Sequence, residues 1–540
     1  MRLAPFRVNE TRGSSQGKPY RFLIVRTAVT LALLLHAGLA RAQIDVEDIF
    51  PSIIAPEPKK APKAPVEIKK EAPLKKEAPK APPSALDRVI KRIGRDLTWG
   101  GYLRNETAFR IVDPTGFDKI LNILQLEGRY RFAPGISLAG RFWAFYDAAY
   151  DVESISTISP RKGPAVACPD VINPNTANTN NICDIEIVDH RTKFKELYLD
   201  INLENFDLRI GRQIVRWGVV EGSRVTDEIN PLDFYELILR DIDDRYIPLF
   251  MVKGNLYLGA NSFEAIWIPE VQGHRPAPRG SEWQQFQLLP GHIKPQHAFQ
   301  GFTDSDQLKE NIDNGEYALK YTRVFTGHEV SVSYFYTWDD FPASFRSIQE
   351  ASIFGGEVSV NFQPRYNRLS ILGTTFSKTF SRFVLNAEAV YVDGKFFGTR
   401  LQNLPASQRG EIQRDFVKGA IGFDAYALGI DISPALILQY IIGYEKPIIQ
   451  DIVDVVGALF LRKEFVHNVW SGNLLLLWFQ NDNNWLIRPR TNYNVTDRVR
   501  LSFGLDLFEG KIGSGQPGEF NFIGFFDNND RLFWDITYSF

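Results

Sequence analysis

The chain contains little sulfur and, beyond its N-terminal region, no long apolar run. Only two Cys and two Met occur among 540 residues, whereas Phe, Tyr and Trp number 40, 20 and 10. Because no uninterrupted run of about 18 apolar residues follows the N-terminus, membrane-spanning helices are not indicated. A closed barrel enters a bilayer without such runs, since alternate residues of each strand face lipid and lumen. Composition alone favours a large secreted all-β protein.

Signatures of catalysis and of nucleic-acid binding are also missing. The net charge of -2 gives no argument for a nucleic-acid partner. We find no Gly-x-Ser-x-Gly, His-Glu-x-x-His, Cys-x-x-Cys, phosphate-binding loop or haem-attachment motif. His274, His292 and His297 share one loop, but their spacing fits no recognisable metal site, so we interpret them as solvated. The sequence predicts a protein that is not an enzyme and carries no cofactor or metal.

Residues 1–42 have the pattern of a bacterial secretory signal peptide. Arg21 and Arg26 flank the start of the apolar stretch Thr27–Ala40, and Ala40-Arg41-Ala42 is a small-x-small cleavage pattern. Cleavage would leave Gln43 first. A retained membrane anchor is the alternative, but the apolar stretch is short for one. We therefore expect the chain to be exported.

Residues 43–83 form a linker rich in Lys, Ala and Pro. Between Pro56 and Pro83 there are eight Lys, eight Pro and four Glu in 28 residues, a composition that cannot build a core. At the ~3.1 Å per residue of polyproline II, this tract reaches on the order of 80 Å. Two interpretations remain open. The tract is either a tether whose lysines contact anionic peptidoglycan or a periplasmic partner, or a solvated spacer.

Residues 84–97 are predicted to form a short amphipathic helix. Ser84 and Asp87 match a capping box. Apolar residues recur on one helical face at Leu86, Val89, Ile90, Ile93 and Leu97. Such a helix either plugs the mouth of a barrel or packs as an ordinary helix.

From Thr98 to Phe540 the dominant period is two. In the segments Gln125–Phe132, Glu196–Leu203 and Arg500–Leu507, apolar residues alternate with polar or small ones. One face of each predicted strand is therefore apolar and the other is polar. A water-soluble sandwich would show the same alternation, so this pattern alone does not identify a membrane barrel.

The lengths of the connections separate the two architectures. Tight connections are predicted at 133–135, 204–206, 259–261, 326–328 and 494–497, and long ones at 151–189, 218–248 and 269–314. Transmembrane barrels alternate in this way between short periplasmic turns and long outer loops. With every long loop outside, we count about 18 strands and allow 16 to 20 for a transmembrane antiparallel β-barrel spanning 98–540. The uncertain segment is Glu357–Phe362, which is either an extra strand or the outer end of one.

The last ten residues carry the most specific local signal. Apolar residues alternate at Leu532, Trp534, Ile536, Tyr538 and Phe540, and the chain stops on the aromatic residue. This resembles the terminal strand of bacterial outer-membrane barrels, which their assembly machinery is understood to recognise. We therefore predict that Ile536, Tyr538 and Phe540 form an assembly signal.

The two cysteines fall in one predicted outer loop. Cys168 and Cys183 lie between Asp151 and Asp189, among Pro, Asn and Thr residues. Because an exported chain passes through an oxidising compartment, we predict a disulfide between them. It would restrain the loop and needs no redox role.

The densest motif lies at a predicted strand end. Residues 209–218 read Arg-Ile-Gly-Arg-Gln-Ile-Val-Arg-Trp-Gly, and Asn230-Pro231-Leu232-Asp233 and then Asp241 to Pro248 follow. The Gly-Arg-Gln-x-x-x-Trp-Gly strand end, the Asn-Pro-x-Asp and the final Ile-Pro resemble the bacterial family called domain of unknown function 1302. That resemblance implies a porin-like outer-membrane barrel, suspected of handling lipids or other hydrophobic molecules. It brings no catalytic or substrate residues.

The arginines of this motif have contrasting predicted positions. Arg209 alternates with Leu208 and Ile210 and should face the lumen. The same register places Arg212 and Arg216 towards lipid, where a charge near the midplane costs ~2 to 4 kcal/mol. We therefore expect them near the outer rim, or turned inward by a bulge at Gly211.

The loop beyond the motif is dense in charges of both signs. The predicted pore constriction consists of Arg209, Arg212, Arg216, Asp227, Glu228, Asp233, Asp241, Asp243, Asp244 and Arg245. Folded into a pore, opposed charges would create a transverse field that narrows and filters it. Two alternatives remain open: the charges solvate a surface loop, or they bind calcium loosely.

These expectations combine into two functional hypotheses. The first is a passive outer-membrane channel or export conduit for small solutes or for hydrophobic, lipid-like molecules. Its expected partners are outer-membrane lipids and the barrel-assembly machinery. The second is a plugged structural or adhesive barrel that anchors the outer membrane to peptidoglycan or a periplasmic protein through residues 56–83.

Overall fold

The computed structural model is a closed antiparallel β-barrel. It describes residues 96–154, 158, 187–278, 281–283, 297–302, 312–349, 358–399, 411–466, 469–511 and 523–540. In this part of the chain, 18 strands form one sheet that closes on itself. The predicted fold class and strand number are both confirmed.

The described strands, in chain order, have the following bounds. The first ten are β1 Leu97–Arg110, β2 Gly116–Ala133, β3 Ile136–Asp147, β4 His190–Asn202, β5 Phe206–Gln213, β6 Leu249–Leu258, β7 Asn261–Ile268, β8 His297–Phe302, β9 Glu316–Phe325 and β10 His328–Trp338. The others are β11 Ala343–Gln349, β12 Val358–Arg365, β13 Arg368–Thr379, β14 Phe383–Gly398, β15 Glu411–Ala427, β16 Ile430–Ile441, β17 Val453–Val466, β18 Trp470–Phe479, β19 Asn484–Asn494, β20 Val499–Glu509 and β21 Arg531–Ser539. All but β8, β11 and β12 belong to the barrel.

The barrel is closed by its first and last strands. β1 and β21 pair antiparallel from Tyr102 opposite Ser539 to Arg110 opposite Arg531. Beyond the end of β21, the main chains of Gly101 and Phe540 exchange two hydrogen bonds of 3.1 and 3.0 Å. Closure leaves the barrel sheet without an edge strand, so its ladder groups are paired around the whole ring.

The two ends of the barrel differ in the length of their connections. The turn end, as we call it, has eight connections of two to four residues, at 134–135, 203–205, 259–260, 326–327, 380–382, 428–429, 467–469 and 495–498. The opposite loop end carries the long connections 148–189, 214–248, 269–315 and 339–367. β1 begins and β21 ends at the turn end. Tight and long connections largely alternate, as predicted, with short loop-end connections at 111–115 and 480–483 as exceptions.

Alternate side chains of each strand face the inside and the outside of the barrel. On β21, the outward Ile536 and Tyr538 are 47 % and 41 % exposed, whereas the inward Arg531 and Asp535 are 2 % and 9 % exposed. An apolar outer face that stays exposed is the surface that a bilayer covers. Ile536, Tyr538 and Phe540 all lie on this outer face, and their role in assembly remains a prediction.

Three strands lie outside the barrel. β12 pairs antiparallel with β11 and parallel with β8, and together they form a small three-stranded sheet. The segment predicted over Glu357–Phe362 belongs to this sheet from Val358 onwards. It is therefore neither an extra barrel strand nor the outer end of one, because its partners come from the long connections at the loop end.

The helices are short. The described ranges contain α1 Ala149–Val152, α2 Ile242–Arg245 and two 3-10 turns, Ile312–Asn314 and Gly524–Phe526. Among the described residues, no helix is long and apolar enough to cross a membrane.

Several predictions fall outside the described residues. They are the signal peptide (1–42), the linker (43–83), the amphipathic helix as far as residue 95, and the disulfide between Cys168 and Cys183. Leu97, predicted as the last apolar position of that helix, is instead the first residue of β1, opposite Tyr130 of β2. The barrel begins one residue earlier than predicted because the β1–β2 ladder extends to this pair.

Deleting Phe540 should reduce the fraction of chain that folds as a barrel. The deletion removes the two main-chain hydrogen bonds to Gly101 and an aromatic contact with Trp99, whose ring centroid lies 6.1 Å away. Heat-modifiable mobility in gel electrophoresis measures that fraction. Phe540→Tyr keeps the ring and the main chain and should fold normally. Equal folding of the deletion and of this control would exclude a role for Phe540.

Candidate functional site

The connection between β5 and β6, residues 214–248, lies inside the barrel, and we call it the inner loop. Its first half buries five apolar side chains, each at most 5 % exposed: Val215, Trp217, Val220, Val225 and Ile229. They form one cluster with inward side chains of β6, β7, β9, β10, β13, β14, β15 and β16. Burial of this apolar surface against the wall brings the loop into the lumen rather than into solvent.

The second half of the inner loop reaches the opposite parts of the wall. Tyr235 packs on inward residues of β2 and β3, with its ring centroid 5.7 Å from that of Phe145. Leu237 and Leu239 pack in another cluster with inward residues of β19 and β20. The inner loop therefore touches the wall on three sides and crosses the lumen.

Glu388, an inward residue of β14, anchors the first half of the inner loop. Its carboxylate accepts hydrogen bonds from the main-chain N–H groups of Val219 (2.6 Å), Val220 (2.5 Å) and Thr226 (2.9 Å), and from the Thr226 hydroxyl (2.7 Å). One buried carboxylate thus satisfies four donors of a segment that forms no helix or sheet. Hydrogen bonds to a charged acceptor are stronger than those between neutral groups.

Acidic residues of the second half bind cations on the wall. Asp244 pairs with Arg104 and Lys195, Glu236 with Lys119 and Arg531, and Asp233 with Arg191 and Arg275, at N–O distances of 2.5 to 3.2 Å. Five of these six cations stand on β1, β2, β4 and β21. Apolar contacts therefore hold both halves of the inner loop, while Glu388 binds the backbone of the first half and most of the ion pairs hold the second.

These ion pairs keep the acids ionised. Burial would raise the pKa of Asp244, but its cationic neighbours, Arg104 foremost, lower it well below the usual range. Burial also opposes ionisation of Glu236, whose cationic neighbours, Lys119 foremost, lower its pKa to about 2. Because both pKa values are depressed in the folded protein, these pairs stabilise the fold fully above the unfolded carboxyl pKa of roughly 4. That stability is lost as the pH falls through the folded pKa.

The strand-end motif forms the base of the inner loop. Gly211 has a φ of 135°, and a Cβ there would lie 2.3 Å from a main-chain oxygen of β4, so a side chain does not fit. Asn230 is fully buried. Its amide oxygen accepts from the N–H of Val215 (2.8 Å), and its amide nitrogen donates to the carbonyl oxygens of Gln213 (3.3 Å) and Ile247 (3.0 Å). Asn230 therefore ties the start of the loop to its end.

The three arginines of the motif lie in different places. Their acidic partners are Asp200 for Arg209 (2.6 Å), Glu270 for Arg212 (2.5 Å) and Asp243 for Arg216. Arg209 faces the lumen, as its register predicts. Arg212 lies at the loop-end rim, and Arg216 lies beyond the strand, in the inner loop. The pairing of β5 with β4 and β6 runs without interruption at Gly211, so the rim position and not a bulge explains Arg212.

The other predicted charges brace the inner loop. Asp227 accepts hydrogen bonds from the Tyr246 hydroxyl and the Trp217 N–H. Glu228 pairs with Lys418 at 2.7 Å, and Arg245 stacks over Phe234. Asp241 and Asp243 are exposed. The surface-loop interpretation is wrong, because wall contacts draw this segment inside. The described residues contain no group of three or more His, Cys, Asp or Glu that could hold a metal ion. Most charges neutralise a partner instead of facing an open pore.

One loop histidine is buried. The prediction that His274 is solvated is wrong, since its Nδ1 accepts a hydrogen bond of 2.8 Å from the Leu232 N–H of the inner loop. Burial lowers the pKa of His274 well below its ordinary value, so the ring is neutral and able to accept this bond. His292 and the side chain of His297 lie outside the described part of the chain.

The wall residues that hold the inner loop are not among the residues predicted from the sequence. Lys119, Lys195, Glu388 and Arg531 are each at most 8 % exposed, although they face a lumen. A signal was present on β2, where the inward positions after Lys119 are Leu121 and Ile123. Apolar residues on an inward face indicate that another segment covers that wall. The identity of that segment could not be deduced from the pattern.

A family model supports the resemblance drawn from the strand-end motif. The model described as "Protein of unknown function (DUF1302)" matches residues 115–456, well over half of the chain. The match includes the whole inner loop and its Glu388 anchor. No curated protein matches the sequence.

Solved structures with a similar fold include outer-membrane proteins. The chain resembles Acinetobacter baumannii OccAB3 with 9 % identity and a TM-score of 0.42, over 83 % of this chain and 99 % of that one. It resembles the Pseudomonas aeruginosa outer membrane protein opdK with 11 % identity and a TM-score of 0.43, over the same shares. It resembles Pseudomonas aeruginosa OccK8 (OprE) with 10 % identity and a TM-score of 0.44, over 83 % of this chain and 98 % of that one.

Glu388→Ala should release the first half of the inner loop. The substitution leaves three N–H groups and one hydroxyl without their acceptor, at a cost of ~1 to 3 kcal/mol for each group that stays buried. We expect trypsin to cleave at Arg224 about 10-fold faster than in the wild type, as mass spectrometry of limited digests would show. Glu329→Ala, which removes a lumen-facing carboxylate near the turn end of β10, should leave the rate unchanged. Equal rates in all three proteins would contradict the anchoring role.

The Asp244 ion pairs should resist mild acid. Asp244→Asn should lower the Tm of the purified barrel, and the difference from wild type should stay constant from pH 7 to pH 5, since Asp244 remains ionised there. Below about pH 4 the difference should shrink, because the carboxyl that the substitution removes begins to protonate in the unfolded state. Tryptophan fluorescence melts at pH 7, 5 and 3 measure it. Asp241→Asn, at an exposed position, is the control, and a difference that vanished by pH 5 would contradict the expectation.

Proposed function

Because this chain belongs to the DUF1302 family and closes into an 18-stranded barrel with an apolar outer face, we propose that it is a porin-like channel or export conduit of the bacterial outer membrane. The observation that carries the proposal is the inner loop, which crosses the lumen and is bound there by strands around the ring. A loop held in this way narrows a passage and determines which charges a passing molecule meets. No covalent chemistry is needed for this role.

The orientation follows from the two ends of the barrel. Short turns of outer-membrane barrels face the periplasm and long loops face outwards. We therefore place the turn end in the periplasm, where β1 begins, and the predicted linker 43–83 would lie on that side. Outer-membrane lipids would cover the apolar outer face, and the barrel-assembly machinery would receive the terminal strand.

Selection of the cargo would depend on the charges that remain accessible. Asp241 and Asp243 of the inner loop are 58 % and 49 % exposed at the side chain, and the wall residues Arg129 and Arg490 are 43 % and 28 % exposed. Accessible charges of both signs along the lumen would favour small polar or zwitterionic solutes over large neutral ones. The buried ion pairs would keep the loop in place and take no direct part.

A second function is favoured by the same loop. Because the inner loop packs on three sides of the lumen, the barrel would serve as a plugged structural or adhesive anchor if no passage remained. Residues 56–83 would then bind peptidoglycan or a periplasmic protein. The two functions differ in whether ions cross the barrel.

Planar-bilayer recording of the purified protein separates them. We expect stepwise ion currents from the wild type, and currents several-fold larger when residues 219–245 are replaced by a short Gly-Ser linker, because the cross-section widens. A control protein with the same linker in place of 401–409 keeps the inner loop and should conduct like the wild type. A wild-type protein that carried no ion current would refute the channel function and favour the anchor. Unchanged conductance in the inner-loop variant would show that this loop is not the constriction.

A further inference from the structure

The inner loop leaves one part of the wall uncovered. Its described hydrogen bonds and ion pairs reach β1, β2, β4, β5, β7, β9, β14, β15, β19 and β21. None of them reaches β17 or β18, where the inner loop acts only through the charge of Glu221 on Arg462. Its first half packs against β6 to β16 and its second half against β2, β3, β19 and β20. The space between the two attachments is bordered by the inner faces of β17 and β18.

This uncovered wall is apolar. The inward residues are Val456, Ala458 and Phe460 on β17 and Leu475 on β18, with Phe460 directly opposite Leu475. All four are half-buried and lie outside the clusters that the inner loop forms. Ile437 and Leu477 border them, each touching one of those clusters. We call the four residues with these two neighbours the apolar stripe.

Elsewhere in this barrel, buried apolar residues of the inner wall lie in the clusters that the inner loop forms. The inward faces of β4 and β5, for comparison, carry Asp200, Arg209 and Gln213. Lumen-facing positions of a water-filled barrel are normally polar, and an accessible apolar patch marks a surface that binds something apolar. The four residues are members of none of the buried clusters that the described part of the inner loop forms.

Cationic residues stand at the turn-end side of the apolar stripe. Arg462 is the next inward residue of β17 after Phe460, and Arg490 and Arg500 follow on β19 and β20. The charge of Arg500 interacts with those of Arg490 and Arg462 and with that of Asp241 in the inner loop. Arg462 pairs with Glu464, and Arg490 pairs with Asp535 at 2.9 Å and with Asp241 of the inner loop at 3.7 Å. Arg500 donates to the Asn494 amide at 3.1 Å, and no carboxylate of the described residues forms an ion pair with it.

The wall behind the apolar stripe is continuous. β17 pairs with β16 over ten residue pairs and with β18 over ten more, and β18 pairs with β19 over another ten. A molecule cannot pass between strands whose ladder is unbroken, so a ligand of this stripe must arrive through an end of the barrel. It must therefore travel through water before it binds, which favours a single-chain amphiphile over a two-chain bilayer lipid.

We propose that the apolar stripe is the binding path of a single-chain anionic amphiphile, such as a medium- or long-chain carboxylate. Its hydrocarbon chain would lie on Val456, Ala458, Phe460 and Leu475, and its head group would meet Arg500. This assignment rests on the proposed channel function, since it names the class of molecule that the remaining passage carries. It deepens that function: a charged constriction alone would select polar solutes, whereas a passage with an apolar stripe would also bind an amphiphile.

Binding of a chain-length series tests the assignment. The full barrel in phosphatidylcholine nanodiscs is titrated calorimetrically with acetate, hexanoate, octanoate and decanoate, with empty nanodiscs as the baseline. We expect no binding of acetate and affinity that rises up to about fourfold for each added methylene, the gain for a methylene that becomes fully buried. An affinity independent of chain length would overturn the proposal. If phosphatidylglycerol in the nanodisc competed for the site as strongly as decanoate binds it, the choice of a single-chain ligand would be overturned.

Matched variants locate the site. Phe460→Glu and Leu475→Glu place a carboxylate on the apolar stripe and should weaken decanoate binding at least about 10-fold, through the lost apolar contact and like-charge repulsion. Ser262→Glu adds the same charge to a lumen-facing position of β7 and should bind decanoate like the wild type. Arg500→Gln should weaken decanoate but leave decanol unchanged. Equal binding by Phe460→Glu and Ser262→Glu would place the ligand elsewhere.

Conductance of the same preparations separates this inference from the channel itself. Ion currents without decanoate binding would overturn the stripe as a binding path and leave the channel function intact. Decanoate binding without ion currents would support the stripe as a site and contradict the open channel. Partial block of the current by decanoate in the wild type, absent in Phe460→Glu, would support both.

Discussion

Pairing between β1 and β21 is the contact on which the rest of the structure depends. In a bilayer every ladder N–H and C=O must find a partner within the protein, so an open edge is not tolerated. Once the ring is closed, each strand has one face towards lipid and one towards the lumen. The inner loop can cross the lumen only because closure brings β2 and β21 to one side of it and β14 to another.

Much of this architecture is readable in the sequence because a barrel repeats one simple rule. Alternation such as that of Leu501, Phe503 and Leu505 depends only on neighbours along the chain, and turn lengths depend on local residues. The inner loop does not follow from local rules. Whether Asp244 solvates a surface or pairs with Lys195 depends on which wall lies opposite, and that is known only from the register of the whole ring. The small sheet containing Val358 was missed for the same reason, since its partners come from two different loops.

Two kinds of contact share the lumen, and they act differently. Apolar packing around Trp217 and Val220 is not directional, whereas the four bonds to Glu388 fix the position of the loop backbone. A barrel that only needed to be filled could use apolar packing throughout. The charged attachments of Asp244 and Glu236 add a defined geometry, and they also determine which stretch of wall stays uncovered. The apolar stripe on β17 and β18 lies on the part of the wall that these attachments do not reach.

The distance along the chain between attachment points constrains the order of folding. Glu236 binds Lys119, 117 residues before it, and Arg531, 295 residues after it, while Arg488 donates to the carbonyl oxygen of Leu239 from 249 residues away. The inner loop cannot reach its final position until the last strand has been added. Until then its apolar and acidic side chains remain without partners, which exposes the nascent barrel to aggregation. The contacts that fill the lumen therefore cannot all form before the wall strands that carry their partners are in place.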